Sequence, residues 1–171
     1  MNFGLTNAHT DDEMSVADRL KRWSGEESDQ ELLTQSPKSV LIVEDDTTSV
    51  FLMKLALNKA GSFAAFDWVS NAKEALAHIK ARSQNGRRRP YDLIIIDIFL
   101  EGKETGIELW ERLSRQDLHM FPVLLTSSIS EGRFSQLVGS QRLAPRYLRK
   151  PFLVDACAKT ITDLLNQPAW Q

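Results

Sequence analysis

Short apolar runs alternate five times with segments of helical composition from Lys38 onward, and this alternation restricts the fold more than any other feature. Three of the runs are apolar throughout rather than at every second residue, as is typical of strands covered on both faces. The helical segments between the runs can supply that cover. The pattern therefore predicts an α/β sandwich around a mostly parallel five-stranded sheet.

The boundaries of the predicted elements follow from breakers such as Gly61 and from capping pairs. Asn71 with Glu74, and Thr105 with Glu108, have the spacing of such pairs. The predicted strands are Ser39–Val43, Phe63–Trp68, Tyr91–Ile96, Phe121–Thr126 and Arg146–Arg149. The predicted helices are Thr47–Ala60, Asn71–Arg82, Thr105–Arg115, Ser130–Val138 and Leu153–Asn166.

The N-terminal segment differs from the rest in composition. Residues 1–38 carry eight acidic and four basic side chains and no strand-like run. A helix is expected there because four apolar residues recur at helical spacing. They are Met14, Ala17, Leu20 and Trp23. We predict three parts: an acidic, partly helical extension over 1–37, a main domain over 38–167 and a tail over 168–171.

Composition excludes several classes of protein. The chain has 171 residues and a formal net charge of −2, so it carries no basic excess for nucleic acid or an anionic membrane. A single cysteine, Cys157, excludes an internal disulfide and a cysteine-built zinc site. No apolar run approaches the roughly 20 residues that span a bilayer, and the acidic N-terminus is unlike a signal peptide. We therefore expect a cytoplasmic protein.

Polar residues stand at the ends of four predicted strands. Glu44 and Asp45 come directly after the first strand, Asp97 follows the third, Thr126 ends the fourth and Lys150 follows the fifth. In an open parallel sheet, ligands bind outside the carboxyl ends of the strands. We therefore expect these side chains to share one edge of the sheet.

The chemistry of that edge favours phosphoryl transfer. Three carboxylates within a few ångströms repel one another, which raises at least one pKa unless a cation compensates. Mg²⁺ binds through carboxylates, water and phosphate oxygens. Lys150 adds a mobile positive charge and Thr126 a hydroxyl donor. Together these groups suit a carboxylate that accepts a phosphoryl group.

The chain resembles the receiver domain of two-component response regulators in four segments, in the same order and each at a strand end. These segments are VLIVEDD, DLIIIDIFL, PVLLTSS and YLRKPF. The resemblance covers roughly Lys38 to Gln167. It implies a flavodoxin-like (βα)5 sandwich whose five-stranded parallel sheet has the order 2-1-3-4-5.

By this resemblance, Asp97 is the phosphoacceptor, and it receives the phosphoryl group from the phosphohistidine of a histidine kinase. Mg²⁺ would be held by Asp97, by Asp45 directly, by Glu44 with or without a bridging water, and by the backbone carbonyl of Phe99.

The resemblance also implies a switch. Lys150 would pair with the phosphoryl oxygens, and Thr126 would hydrogen-bond to the phosphoryl group and move toward it. Tyr147 matches the aromatic residue that swings inward as the threonine moves. The output surface would be the fourth helix, fifth strand and fifth helix, and the phosphoryl group would shift the population between two conformations.

The chain departs from the pattern of the receiver family at four places. Glu101 stands where proline is usual, and Gly106 follows Asp97 by one residue more than is common. The loop that contains Arg87–Arg89 is extended, and Ser127 stands where alanine is frequent. None of these changes removes a chemical group from the site.

Phe99, two residues after Asp97, is bulky and apolar. We hypothesise that it hinders attack by water on an aspartyl phosphate and so lengthens the lifetime of the phosphoryl group. An unchanged dephosphorylation rate in Phe99→Asn would contradict this hypothesis.

Other conspicuous residues are interpreted as structural or without function. Asp46 or Thr47 is expected to cap the first helix of the main domain. Cys157 and Trp110 are expected to pack in the core. The histidines have no metal-ligand spacing; they are His9, His78 and His119.

A phosphorylatable receiver is the preferred function. Its expected partners are a histidine kinase or phosphotransfer protein and a downstream protein target, with a homodimer left open. No direct contact with nucleic acid and no insertion into a membrane are expected. The receiver is expected to stand alone, because no residues follow position 171 to form a DNA-binding module. It would be no enzyme beyond catalysing its own phosphorylation and dephosphorylation.

Two alternatives remain from the sequence. The first is a receiver-like interaction module that works unphosphorylated through residues 1–37. The second is an enzyme of the same fold class. A haloacid-dehalogenase-type phosphatase would need Asp-x-Asp after a strand, whereas Ile98 and Phe99 follow Asp97. A flavin-binding flavodoxin would need a hydroxyl- or glycine-rich loop after the first strand, where this chain has three acidic residues.

Overall fold

The computed structural model describes residues 38–61, 63–84, 89–115, 122–139 and 145–166. Some parts of the chain discussed above lie outside the described residues: the predicted extension over 1–37, the tail over 168–171, His9, His119, Arg87 and Arg88.

Five parallel strands and five helices alternate along the described chain. The strands are β1 (Lys38–Val43), β2 (Phe63–Val69), β3 (Leu93–Asp97), β4 (Val123–Ser127) and β5 (Arg146–Arg149). The helices are α1 (Thr47–Ala60), α2 (Ala72–Gln84), α3 (Gly106–Arg115), α4 (Glu131–Val138) and α5 (Val154–Leu165). The sheet order is β2-β1-β3-β4-β5 with every pair parallel, so the predicted flavodoxin-like sandwich is confirmed.

Two strands begin later than predicted. β3 starts at Leu93, and the two residues before it, Tyr91 and Asp92, bind other strands through their side chains. The Tyr91 hydroxyl donates to Asp67 at 2.6 Å, and the Asp92 carboxylate accepts the Ser39 N–H at 2.7 Å. β4 starts at Val123, since the preceding Pro122 has no N–H for a strand ladder. Phe121, where the predicted strand began, lies outside the described residues.

The sheet separates two apolar layers, because successive side chains of a strand point to opposite faces. On one face, α1 and α5 pack against the sheet through residues that include Met53 and Ile161. On the other face, α2, α3 and α4 contribute residues that include Ile79, Trp110 and Phe134. Both faces are therefore covered, as the continuous apolar runs predicted.

Side-chain caps fix the starts of several helices, α1 and α3 among them. Asp46 accepts the N–H groups of Thr48 at 3.2 Å and Ser49 at 2.9 Å, so its predicted capping of α1 is confirmed. At α3, the Glu108 carboxylate accepts the Thr105 N–H at 2.7 Å and the Thr105 hydroxyl accepts the Glu108 N–H at 3.2 Å. Each cap is worth about 1 kcal/mol and sets where a loop from the carboxyl edge of the sheet becomes helix.

Candidate functional site

The ends of adjacent strands bring the predicted site residues together. Asp97 and Thr126 are register partners at the ends of β3 and β4. Alternation places both on the face covered by α1 and α5, because Ile95 and Leu124 belong to the apolar layer of that face. Glu44 follows β1, the other neighbour of β3.

Three of the predicted carboxylates form one cluster. One oxygen from each of Glu44, Asp45 and Asp97 lies within 4.8 Å of the others. Glu44 and Asp97 are buried, and Asp45 is half-buried. The structure thus brings together the acids that the sequence placed at one edge of the sheet.

The ammonium group of Lys150 bridges two of these acids. Its Nζ atom lies 2.6 Å from Oε2 of Glu44 and 2.9 Å from Oδ1 of Asp97. The lysine backbone is also held, since its N–H donates to the Ser127 carbonyl at 2.7 Å. The peptide bond from Lys150 to Pro151 is cis. The predicted cation therefore faces the acidic cluster.

Backbone N–H groups orient the second oxygen of each buried acid. Oδ2 of Asp97 accepts the Phe99 N–H at 2.9 Å, and Oε1 of Glu44 accepts the Asp46 N–H at 3.2 Å. Within the described part of the chain, nothing donates to the Asp45 carboxylate. Its oxygens are therefore available to a ligand.

Burial and proximity shift the ionisation of these groups. Burial raises the pKa of Glu44, and the charge of Asp97 adds to the rise, while the hydrogen bond from Lys150 opposes it. Burial likewise raises the pKa of Asp97 against the hydrogen bond from Lys150. Burial alone would lower the pKa of Lys150, but its hydrogen bonds to Glu44 and Asp97 raise it. The buried acids thus favour any additional positive charge nearby.

The donor set fits a divalent cation such as Mg²⁺. Three carboxylates face one ammonium, so negative charge is in excess when all four groups are ionised. All the ligand atoms are oxygens, and a half-buried acid leaves room for the waters that Mg²⁺ retains. Glu44, Asp45 and Asp97 would hold the ion, with the Phe99 carbonyl as the expected further ligand.

Two hydroxyl groups at the end of β4 have no hydrogen-bond partner among the described residues. They are Oγ1 of Thr126 and Oγ of Ser127, and both are buried. An unsatisfied buried hydroxyl costs about 1 to 3 kcal/mol, so a ligand that supplies the partner is favoured. Alternation directs Thr126 toward the face of Asp97 and Ser127 toward the opposite face.

Tyr147 lies in the apolar layer opposite to the acidic cluster. Its hydroxyl is 2.9 Å from the Ser127 carbonyl oxygen and 2.7 Å from that of Ile129. Its ring stacks on Phe134 of α4 at a centroid separation of 4.2 Å and an interplanar angle of 12°. Burial raises the pKa of the Tyr147 hydroxyl. The ring therefore connects the end of β4 with α4.

The loop after β3 exposes Phe99 and requires glycine at position 106. Phe99 is 57% exposed beside Asp97. A Cβ atom on Gly106 would overlap the backbone oxygen of Asp97, and the Gly106 N–H donates to the Ile98 carbonyl at 2.9 Å. The sequence indicated Gly106 only as a difference in spacing, so its steric role was missed. Glu101 is exposed.

The residues interpreted as structural are placed as expected where the structure describes them. Cys157 and Trp110 are buried, and burial raises the pKa of the Cys157 thiol to about 12. His78 is exposed on α2. None of the helices in the described ranges has the length and apolar character needed to cross a membrane.

The profile of the family described as "Response regulator receiver domain" matches residues 40–162. No curated protein matches the chain at a significant level.

Solved structures of receivers match the chain over nearly all of their own length. A protein described as a response regulator, from Chloroflexus aurantiacus, is 26% identical with a TM-score of 0.64, over 77% of this chain and 100% of its own. The receiver domain of a Francisella response regulator is 26% identical with a TM-score of 0.60, over 76% of this chain and 98% of its own. The chemotaxis response regulator CheY4 of Vibrio cholerae shares the fold, at 24% identity and a TM-score of 0.59, over 75% and 99% of the two chains.

Proposed function

The chain belongs to the response regulator receiver domain family, and from that premise we propose that Asp97 is its phosphoacceptor. Family membership implies phosphoryl-accepting signalling. The proposed reaction is a Mg²⁺-dependent transfer from the phosphohistidine of a histidine kinase or phosphotransfer protein. The observation that supports it most strongly is the position of the Lys150 ammonium, 2.6 Å from Glu44 and 2.9 Å from Asp97, beside the available carboxylate of Asp45.

The proposed chemistry is nucleophilic attack by a carboxylate. An oxygen of Asp97 attacks the phosphorus, the P–N bond breaks, and the imidazole leaves with the bonding electron pair. The hydrogen bonds from Lys150 and the Phe99 N–H orient the carboxylate for this attack. When bound at Glu44, Asp45, Asp97 and the Phe99 carbonyl, Mg²⁺ supplies positive charge for the phosphoryl oxygens.

The proposed switch couples the site to a surface of α4, β5 and α5. The unpartnered hydroxyl of Thr126 gains a hydrogen bond when it moves toward a phosphoryl group on Asp97. That movement alters the end of β4, whose Ser127 carbonyl accepts from the Tyr147 hydroxyl. Because Tyr147 stacks on Phe134, its reorientation changes the packing of α4. A downstream protein that prefers one of the two arrangements reads the phosphoryl state.

Other parts of the proposal rest on the sequence. They are the division into an extension over 1–37, a domain over 38–167 and a tail over 168–171, a cytoplasmic location, and the absence of direct contact with nucleic acid or membrane. Catalysis limited to its own phosphorylation and dephosphorylation belongs to the same part of the proposal. A homodimer stays open. The alternative function, an interaction module that works unphosphorylated through residues 1–37, predicts that Asp97 is never modified.

Treatment with acetyl phosphate tests the proposed function directly. The intact protein should gain the mass of one phosphoryl group with MgCl₂ present and none with EDTA. Asp97→Asn should gain none in either condition, while Asp92→Asn, outside the acidic cluster, should gain one. No gain by the native protein would favour the unphosphorylated module.

A further inference from the structure

Trp68 contacts the acidic cluster through its indole ring. The Nε1–H of Trp68 donates to the backbone oxygen of Glu44 at 2.7 Å, at the short end of the usual range for N–H···O bonds. We propose that Trp68 is a positioning residue that holds the Glu44–Asp45 segment in the arrangement that binds Mg²⁺. This inference rests on the proposed function, which supplies the Mg²⁺ site.

The hydrogen bond from Trp68 takes the place of a backbone hydrogen bond that the sheet does not supply to the Glu44 carbonyl. The Glu44 N–H donates to the Val69 carbonyl at 3.0 Å, and the β1–β2 register ends at Val69. In a parallel ladder, the Glu44 carbonyl would next accept the N–H two residues beyond Val69, which is that of Asn71. Asn71 instead caps α2 with its side chain. The indole N–H of Trp68 therefore satisfies a carbonyl where β1 leaves the sheet.

Burial does not explain a large aromatic residue at this position, because Trp68 is 42% exposed. Trp68 pairs with Ile42 in the register, which places its ring on the face covered by α1. The Nζ atom of Lys54 on α1 lies 5.5 Å from the ring centroid, a cation–π distance. Lys54 of α1 thus contacts the indole ring, while the indole N–H donates to the backbone oxygen of Glu44.

The Glu44 carbonyl oxygen belongs to the peptide group that joins Glu44 to Asp45. Because a peptide group is planar, a hydrogen bond to its oxygen restrains the Cα atoms of both acids. This matters most for Asp45, whose carboxylate receives no donor within the described residues. Groups that orient metal ligands typically change metal affinity about 10- to 100-fold when they are removed. Since Trp68 acts through the backbone, we expect the lower end of that range.

The test is titration of the full-length protein with MgCl₂, followed by ¹⁵N NMR shifts of backbone amides at the strand ends. Trp68→Phe removes the N–H but keeps an aromatic ring near Lys54. Trp110→Phe is the matched control, because it makes the same chemical change in the opposite apolar layer. We expect the Mg²⁺ dissociation constant to rise about tenfold in Trp68→Phe and to stay within about twofold of native in Trp110→Phe. The amide of Asp45 should shift in Trp68→Phe even without Mg²⁺.

The outcomes separate this inference from the proposed function. If the native protein binds Mg²⁺ and Trp68→Phe binds it equally well, the positioning role is overturned. The proposed function then still stands. Native protein that binds no Mg²⁺ overturns both. If Trp68→Phe fails to fold, site-specific replacement of Trp68 by 3-benzothienylalanine removes only the N–H from an isosteric ring. Native-like affinity in that variant would also overturn the role, and a tenfold loss would support it.

Discussion

The Lys150 ammonium lies 2.6 Å from the Glu44 carboxylate, although the two residues are 106 positions apart in the chain. The same ammonium lies 2.9 Å from Asp97. Burial raises the pKa of both acids, and the lysine supplies positive charge to both. Lys150 therefore balances negative charge at both buried carboxylates of the proposed site.

Lys150→Met should destabilise the metal-free protein and increase its stabilisation by Mg²⁺. Removal of one partner of a largely buried ion pair costs about 3 kcal/mol. The same change removes a charge that repels Mg²⁺, so the ion should bind more tightly and raise Tm more than in native protein. Thermal unfolding with and without MgCl₂ measures both effects.

Lys59→Met is the control for this variant. Lys59 pairs with Asp155 at the surface, where both side chains are exposed, so its loss should cost under about 1 kcal/mol and leave the response to Mg²⁺ unchanged. A smaller Mg²⁺-induced rise in Tm for Lys150→Met than for native protein would show that the lysine does not compete with the ion.

Phe99→Asn should shorten the lifetime of the aspartyl phosphate. Phe99 is exposed two residues after Asp97, and we expect its apolar ring to hinder the approach of water, whereas an amide would admit and orient water. A rate increase of about tenfold corresponds to about 1.4 kcal/mol of barrier. Loss of the phosphoryl mass with time after removal of acetyl phosphate measures the rate, with Phe51→Asn on α1 as the control that makes the same change at another exposed phenylalanine. Equal lifetimes for Phe99→Asn and native protein would refute the shielding role.

Gly106→Ala should unfold the site, because its methyl group would overlap the backbone oxygen of Asp97. Forcing a methyl group against the backbone costs about 3 kcal/mol of unfolding free energy and displaces the end of β3, which carries the proposed phosphoacceptor Asp97. Gly132→Ala on α4 is the matched control, since a Cβ there meets nothing within 4 Å and alanine favours a helix by up to about 1 kcal/mol. Urea denaturation measures the change in unfolding free energy for both variants. Native-like stability of Gly106→Ala would contradict the assigned close approach.

Tyr91 should make the stability of the protein fall at high pH. Burial and the hydrogen bond to Asp67 raise the pKa of Tyr91 to about 12, from 10.0. The stabilisation is present below the unfolded-state pKa and is lost as the pH rises toward the folded-state pKa, because the unfolded state ionises first. A shift of this size is worth about 3 kcal/mol.

Tyr91→Phe removes this titration. At neutral pH the variant should be less stable by about 1 kcal/mol, because the hydrogen bond to Asp67 is lost. Above pH ~9.5 its unfolding free energy should decline less steeply than that of the native protein. Cys157 contributes in the same direction but is present in both proteins, so it cancels in the comparison. Parallel pH profiles for the two proteins would contradict the role of the tyrosine.

Sequence patterns predicted those features that depend on local chemistry or on strand periodicity. The N-cap at Asp46 could be predicted because its carboxylate accepts an N–H group from the next turn of its own chain. Asp97 and Thr126 meet because both stand at ends of adjacent parallel strands. Family resemblance then supplied the sheet order, which apolar periodicity alone leaves open.

Contacts between residues distant in the chain could not be predicted in the same way. Tyr91 and Asp92, just before β3, form side-chain bonds to strands that lie 24 and 53 residues earlier in the chain, which a strand pattern does not show. Gly106 is required because the loop returns onto Asp97, which spacing does not show. The indole of Trp68 meets Glu44 only because α2 begins soon after Val69. Each contact depends on the three-dimensional path of a loop.

The most direct test is to locate the phosphoryl group. Borohydride reduction of an acyl phosphate converts the aspartate that carries it into homoserine, which peptide mass spectrometry identifies by position. After acetyl phosphate and MgCl₂, homoserine should appear at Asp97 and at no other acidic residue, and EDTA should abolish it. Homoserine at Asp45, 5-hydroxynorvaline (the alcohol that a reduced glutamyl phosphate gives) at Glu44, or no reduced product at any of the three acids of the cluster, would contradict the account.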